Sequence, residues 1–302
     1  MNQAYLKELA GLNEASAEQT SPARPQRVFV GRTGIHTHSE SSFVNDVVHH
    51  ALHGKGTRQI VTVNAQIYVL GEKSLRYRAC LDSAEYLCAD GMPLAWACKH
   101  LGGINVPRIA GVDLIEKFCE RGAADGLSVF LLGGRPDSAR VTARKLSARY
   151  RGLKIVGVSC PSWGFETRAE TLKPVIEQIA KAKPQIIFVA LGAPKQEFLI
   201  EEYIRPLNVP IAIGVGGSFE ILSGVIKRAP MWMQSSGLEW AFRLSKDPKR
   251  MWKRYLIGNV EFLWSVMKWK LLTSVPVLGL PGERCALTSA SKDVSGSPIS
   301  GM

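Results

Sequence analysis

Asp90 stands between a short apolar run, Tyr86–Ala89, and the turn Gly91-Met92-Pro93. A carboxylate at a strand end can take a proton from a hydroxyl, the work of a general base. The same residue can instead N-cap a helix that begins near Pro93. Asn64, after the run Gln59–Val63, either hydrogen-bonds a ligand or caps the next helix. Arg108 follows a loop and reads as a phosphate grip or as a solvated loop arginine. Gly133-Gly134, Gly192 and Gly216-Gly217 each close an apolar run and lead into a helical pattern. Such turns let backbone N–H groups approach a phosphate at a helix N-terminus, although a glycine there often serves only a positive φ. Three of them together point to a nucleotide-type ligand.

Other chemistries lack their residues. There is no GxGxxG, because Pro136 follows Gly133-Gly134-Arg135, and no GxxxxGK[ST]. His36, His38, His49, His50, His53 and His100 lack metal-ligand spacing, so no metal and no cofactor are expected. No Asp-x-Asp pair is present to hold a divalent ion on a diphosphate. Arginine and lysine would have to neutralise such a leaving group.

These residues depend on elements that must place them. Strands are expected at Arg27–Val30, Gln59–Val63, Tyr86–Ala89, Ser128–Leu132, Lys154–Val158, Gln185–Leu191 and Pro210–Val215. Helices are expected at Ser41–Leu52, Ala65–Leu81, Pro93–Leu101, Val112–Gly122, Asp137–Arg149, Glu166–Lys181 and Lys195–Pro206. Several strands are nearly continuous apolar runs, which is how strands buried on both faces read. The alternation predicts an α/β fold: an open, mostly parallel, Rossmann-like sheet flanked by helices. Ligands of such sheets bind beyond the carboxyl ends of the strands, where the residues above lie.

After this body the composition shifts. From Gly224 to Lys270, ten Lys and Arg face Glu239, Asp247 and Glu261, a net +7 of the chain's +12. Five of the seven tryptophans, at 232, 240, 252, 264 and 269, lie there too. Amphipathic rings among cations suit an anionic lipid surface. The expected organisation is a disordered tail over 1–24, a catalytic body over 25–223, a membrane-facing helical appendage over 224–272 and a second disordered tail over 273–302. No signal peptide and no spanning helix are visible. The six cysteines show no CxxC pair, as expected of buried, reduced thiols.

Seven segments together carry a resemblance. They are VTVNAQI (61–67), ADGMPLAW (89–96), PRIAGVDL (107–114), VFLLGG (129–134), IIFVALGAPKQE (186–197), IGVGGSFEILSGVIKRAP (213–230) and GLEWAFRLSKDPKR (237–250). In this order and over almost the whole body, the chain resembles the WecG/TagA/CpsF glycosyltransferases (glycosyltransferase family 26). The resemblance implies an inverting, metal-independent enzyme. It would move a sugar of the N-acetylmannosamine type, its uronic acid, or glucose. The donor would be a UDP-sugar and the acceptor a polyprenyl-diphosphate-linked sugar, in synthesis of an exopolysaccharide or other bacterial surface polymer. It implies a cytoplasmic protein, peripheral on the inner face of the membrane, with a homo-oligomer allowed. It implies Asp90 as base and Thr62, Asn64, Arg108 and Gln196 at the substrate. Arg243, Arg250 and either Lys253 or Arg254 would serve the diphosphate. Val63 replaces a usual proline, and Glu220 stands where aspartate is common.

Two other classes compete. A non-catalytic membrane-bound nucleotide-binding protein would keep Asp90 and the glycine turns without turnover. A basic nucleic-acid-binding protein is permitted by the sequence pI of about 9.5. Aliphatic residues among the tryptophans disfavour it, so no nucleic-acid partner is expected.

Overall fold

A computed structural model describes residues 26–252, 258–272 and 278–279. Six strands form one parallel sheet: β3 (Arg58–Val63), β4 (Tyr86–Ala89), β5 (Ser128–Gly133), β6 (Lys154–Ser159), β7 (Ile186–Ala190) and β8 (Ile211–Gly214). Their spatial order is β4-β3-β8-β7-β5-β6. The central strands carry buried residues on both sides, so helices must cover both faces.

On one face lie α1 (Glu40–His53), α5 (Gly111–Asp125) and α6 (Ser138–Arg149), packed on Ile60, Leu131, Phe188 and Ile213. Alternate strand residues point the other way. There Val61, Val63 and Leu87 meet α2 (Ala65–Lys73), α3 (Leu75–Ser83) and α4 (Met92–Gly102). On that same side Phe130, Ile187 and Val189 meet α7 (Ala169–Ala182) and α8 (Lys195–Leu199), which runs on as a π turn and a 3₁₀ turn to Leu207. The expected α/β architecture is therefore present.

Three local expectations are corrected. Arg27–Val30, as β1, does not join the parallel sheet. It pairs antiparallel with β2 (Thr33–His36), a strand not expected, and with β9 (Leu278–Gly279), inside the stretch read as a C-terminal tail. This small sheet is fastened to the edge strand β4, where the Leu87 N–H donates to His36 Nδ1 (2.9 Å). Burial first, and then the neighbouring Arg27 charge, lower the His36 pKa to about 3, so this imidazole stays neutral and able to accept. The helix expected over Ala65–Leu81 is two helices. Ser74 adopts an extended backbone, and its hydroxyl accepts the Tyr77 N–H (3.2 Å), starting α3 afresh. Likewise Arg168 is extended and separates the 3₁₀ turn Phe165–Thr167 from α7.

Beyond β8 follow α9 (Ser218–Ser223), α10 (Met231–Ser235), α11 (Glu239–Lys246), α12 (Pro248–Trp252) and α13 (Gly258–Leu272). Helix α13 packs on α2. Phe262 is buried edge-on against Tyr68 (5.1 Å between rings), and Lys73 pairs with Glu261 (2.6 Å). Its opposite face leaves Val260, Leu263, Trp264, Met267 and Leu271 exposed, at helical spacing. An apolar stripe on each side explains why this helix lacks a polar face. Among the described residues no helix is long and apolar enough to cross a membrane. The residues 1–24 and most of 273–302, read as tails, lie outside the described residues.

Candidate functional site

Register places the central pair. Val63 of β3 is the parallel partner of Ala89 of β4. The next residues, Asn64 and Asp90, therefore leave the sheet side by side, one strand spacing (~4.8 Å) apart. Two backbone bonds secure this end. The Asp90 N–H donates to the Val63 carbonyl (2.7 Å), and the Ile109 N–H donates to the Ala89 carbonyl (2.8 Å). The second bond draws the loop before α5 against β4 and sets Arg108 beside Asp90. Gly91, not Asp90, occupies the N-cap of α4 with φ +111°, a conformation that favours glycine.

Asn64 does cap α2. Its Oδ1 accepts from the N–H groups of Gln66 (3.0 Å) and Ile67 (3.1 Å). The cap leaves the amide donors, so both readings of Asn64 are compatible.

Asn64, Asp90 and Arg108 line one cleft. Its other wall comes from the appendage: Gln234, Glu239, Trp240 and Arg243, with Asn259 at the start of α13. The cleft thus lies where the carboxyl ends of β3 and β4 meet the C-terminal helices. Arg108 faces Asp113 and Glu239, each at 3.6 Å, and donates to Gln234 Oε1 (3.5 Å). Arg243 binds Glu239 through Nε (3.1 Å) and through a terminal nitrogen (2.5 Å). Among the described residues no three His, Cys, Asp or Glu side chains converge as a metal site would require.

Thr62 and Gln196 stand outside this lining. The buried Thr62 hydroxyl donates to the Gly214 carbonyl (3.2 Å), tying β3 to β8. Gln196 is buried beneath two of the glycine turns, and its Oε1 accepts from the N–H groups of Gly192 (3.1 Å) and Gly216 (3.0 Å). The turns themselves divide into two kinds. A side chain at Gly133 or Gly134 would collide with Ala190 or with Ser138 and Phe219, so these glycines serve close packing. Among the described residues nothing lies within 4 Å of a side chain's first carbon at Gly192 or Gly216, and Gly217 lies next to Glu220. Arg250 falls in α12, with no described side chain, and Lys253 and Arg254 lie outside the described residues.

Sequence reasoning singled out neither Glu239 nor Gln234 for a role. Glu239 carried a legible signal, four residues before Arg243 on one helical face. Gln234 carried none, because its contact with Arg108 spans 126 residues.

The staple under the turns has a pH consequence. Gln196 Nε2 donates to Glu197 Oε1 (2.7 Å), and burial raises the Glu197 carboxyl to about 7 from its ordinary 4.5. Above pH 4.5 the folded chain keeps a proton that the unfolded chain has released. That stabilisation is complete below pH 4.5 and is lost as pH rises through about 7. The loss amounts to about 3 kcal/mol. Glu197→Gln should therefore flatten the stability profile between pH 5 and 7 in denaturant melts. An unchanged slope would locate the titration elsewhere.

The sequence profile of the "Glycosyl transferase WecG/TagA/CpsF family" matches residues 28–275. The chain is similar to the N-acetylglucosaminyldiphosphoundecaprenol N-acetyl-beta-D-mannosaminyltransferase of Bacillus subtilis (strain 168). The two are 35% identical over 216 residues, covering 72% of this chain and 82% of the relative. The enzyme of the same name from Bacillus spizizenii (strain ATCC 23059 / NRRL B-14472 / W23) is 31% identical over 217 residues, 72% and 81% of the two chains.

Proposed function

The chain belongs to the WecG/TagA/CpsF family of glycosyltransferases, and from that premise we propose that it transfers an N-acetylmannosamine-type sugar from a UDP-sugar to a polyprenyl-diphosphate-linked sugar. The observation that carries this reading is the cleft itself. The Asp90 carboxylate and two guanidinium groups, Arg108 and Arg243, line the same space at the carboxyl end of the sheet, with Glu239 beside the two arginines.

The chemistry is a single displacement. The acceptor hydroxyl oxygen attacks the anomeric carbon and gives its proton to Asp90. The bond from that carbon to the diphosphate breaks, and its electron pair leaves on UDP. Arg108 and Arg243 neutralise the charge that develops there, with Arg250 and Lys253 or Arg254 supplied by the same appendage. Attack opposite the leaving group inverts the anomeric centre. The names of the two relatives favour N-acetylmannosamine over its uronic acid or glucose as the sugar.

The apolar outer face of α13 and the exposed Trp232 and Trp252 support a peripheral position on the inner face of the cytoplasmic membrane. The polyprenyl anchor of the acceptor would be held there, and the product would feed a cell-surface polymer.

The test is turnover. Purified full-length chain is incubated with UDP-N-acetylmannosamine, its uronic acid or UDP-glucose, together with a short-chain polyprenyl-diphosphate N-acetylglucosamine. Release of UDP with the first donor is expected, and it should survive EDTA. Activity abolished by the chelator and restored by Mg²⁺ or Mn²⁺ would overturn the arginine-based account of the leaving group. No turnover with any donor would overturn the transferase substrates.

A further inference from the structure

Glu239 occupies a place that the transfer chemistry leaves unexplained. It is a carboxylate on the wall of a cleft that is read here as binding a diphosphate. Its two oxygens are divided between two elements. Oε1 takes both contacts from Arg243, on its own helix α11, and Oε2 faces Arg108 NH1 at 3.6 Å, on the loop before α5. One carboxylate thus links the arginine of the body to the arginine of the appendage.

Arg108 is poorly served by this arrangement. Its side chain is only 18% exposed, yet among the described residues the buried NH1 has no hydrogen-bond partner. Asp113 does not make up the deficit, because both its oxygens are taken by Arg228 at 2.7 and 2.8 Å. Among the described residues the side-chain acceptors that face Arg108 (Gln234, Asp113 and Glu239) stand at 3.5–3.6 Å. A charge-assisted bond from a guanidinium normally closes to ~2.7–2.9 Å. Among the described residues the pocket therefore presents a mostly buried guanidinium held by one long hydrogen bond, with a carboxylate standing where a stronger anion would fit.

We propose that Glu239 is an internal stand-in for the donor diphosphate, holding Arg108 and Arg243 toward the cleft until phosphate oxygens take its place. This rests on the reading of the cleft as the donor site. A diphosphate carries more charge and more acceptor oxygens than one carboxylate, so it can satisfy both guanidinium groups. The exchange costs the existing Glu239 contacts, and this weakens the hold on UDP after transfer. Glu239 is accordingly a positioning residue. It aligns the two arginines, and its competition tunes how tightly UDP is kept.

The experiment is calorimetric titration of the full-length chain with UDP and with inorganic pyrophosphate. Glu239→Gln removes the competing charge and should bind both about ten-fold more tightly, since one charge-assisted contact no longer has to be exchanged. Glu239→Asp keeps the charge and should stay near wild type. A residue that only stabilised α11 through its i,i+4 pair would not produce tighter binding. Unchanged or weaker binding by the Gln variant, with wild type binding UDP normally, would overturn the proposal and leave the transferase reading standing. Wild-type chain that binds neither UDP nor pyrophosphate would overturn both. Should the Gln variant fail to fold by circular dichroism, Glu239→Ala reads the same quantity with a good helix former in place.

Discussion

Asp90→Asn is expected to bind UDP as the wild type does and to lose most of its turnover. The amide matches the carboxylate in size, and the backbone bonds that set this strand end belong to Val63, Ala89, Asp90 and Ile109 main-chain atoms. Substitution should therefore leave the cleft in place. What disappears is the ability to accept a proton from the acceptor hydroxyl. A positioned base contributes ~10² to 10⁴ in rate, and the loss should fall on kcat, with the donor KM changed little. Calorimetry with UDP and steady-state kinetics on the same preparation separate the two. Near wild-type kcat in the Asn variant would remove Asp90 from the role of base.

The second large effect concerns the outer face of α13. On the proposed reading, Leu263, Trp264 and Met267 enter the headgroup region, and each contributes about 1.5–3 kcal/mol when fully buried. Partial burial of three such side chains gives an expected fall in vesicle affinity of ~10² to 10³ when all three become serine. Phe262, Ser265 and Val266 lie on the other side against α2 and are untouched, so the fold should hold. The cations of the appendage act differently. Each gains ~1 kcal/mol near an anionic leaflet, and salt screens that gain. Wild-type protein should therefore sediment with anionic vesicles and be only partly released by high salt. The triple variant should be released fully. Wild-type chain that stays in the supernatant with anionic vesicles at low salt would mean that this face meets protein instead.

The structure also redistributes the tryptophans read together from the sequence. Trp264, Trp252 and Trp232 are exposed, Trp240 lines the cleft and Trp269 is half-buried. Composition located the block but not the face each ring takes. That depends on which side of α13 docks on α2, and Phe262 against Tyr68 decides it.

The sequence by itself determined the strands of the parallel sheet and which residues follow their ends. Runs such as Ile186–Ala190 and Ile211–Gly214 are apolar at every position, and only a strand covered on both faces can use them so. From that followed a parallel sheet, and from the sheet the prospect that Asn64, Asp90 and the glycine turns share one edge. These signals are local, written within a few residues, and local backbone physics suffices to read them. Tertiary structure alone decided which neighbours meet. Strand order put β3 beside β4, which made Asn64 and Asp90 adjacent. It sent Arg27–Val30 to a separate sheet and placed Gln196 under two turns instead of in the cleft. It also joined Arg108 to Glu239 across 131 positions of chain, a link built by the packing of the appendage on the body. No periodicity encodes such contacts. They arise from the shape and register of surfaces that exist only once the sheet has formed.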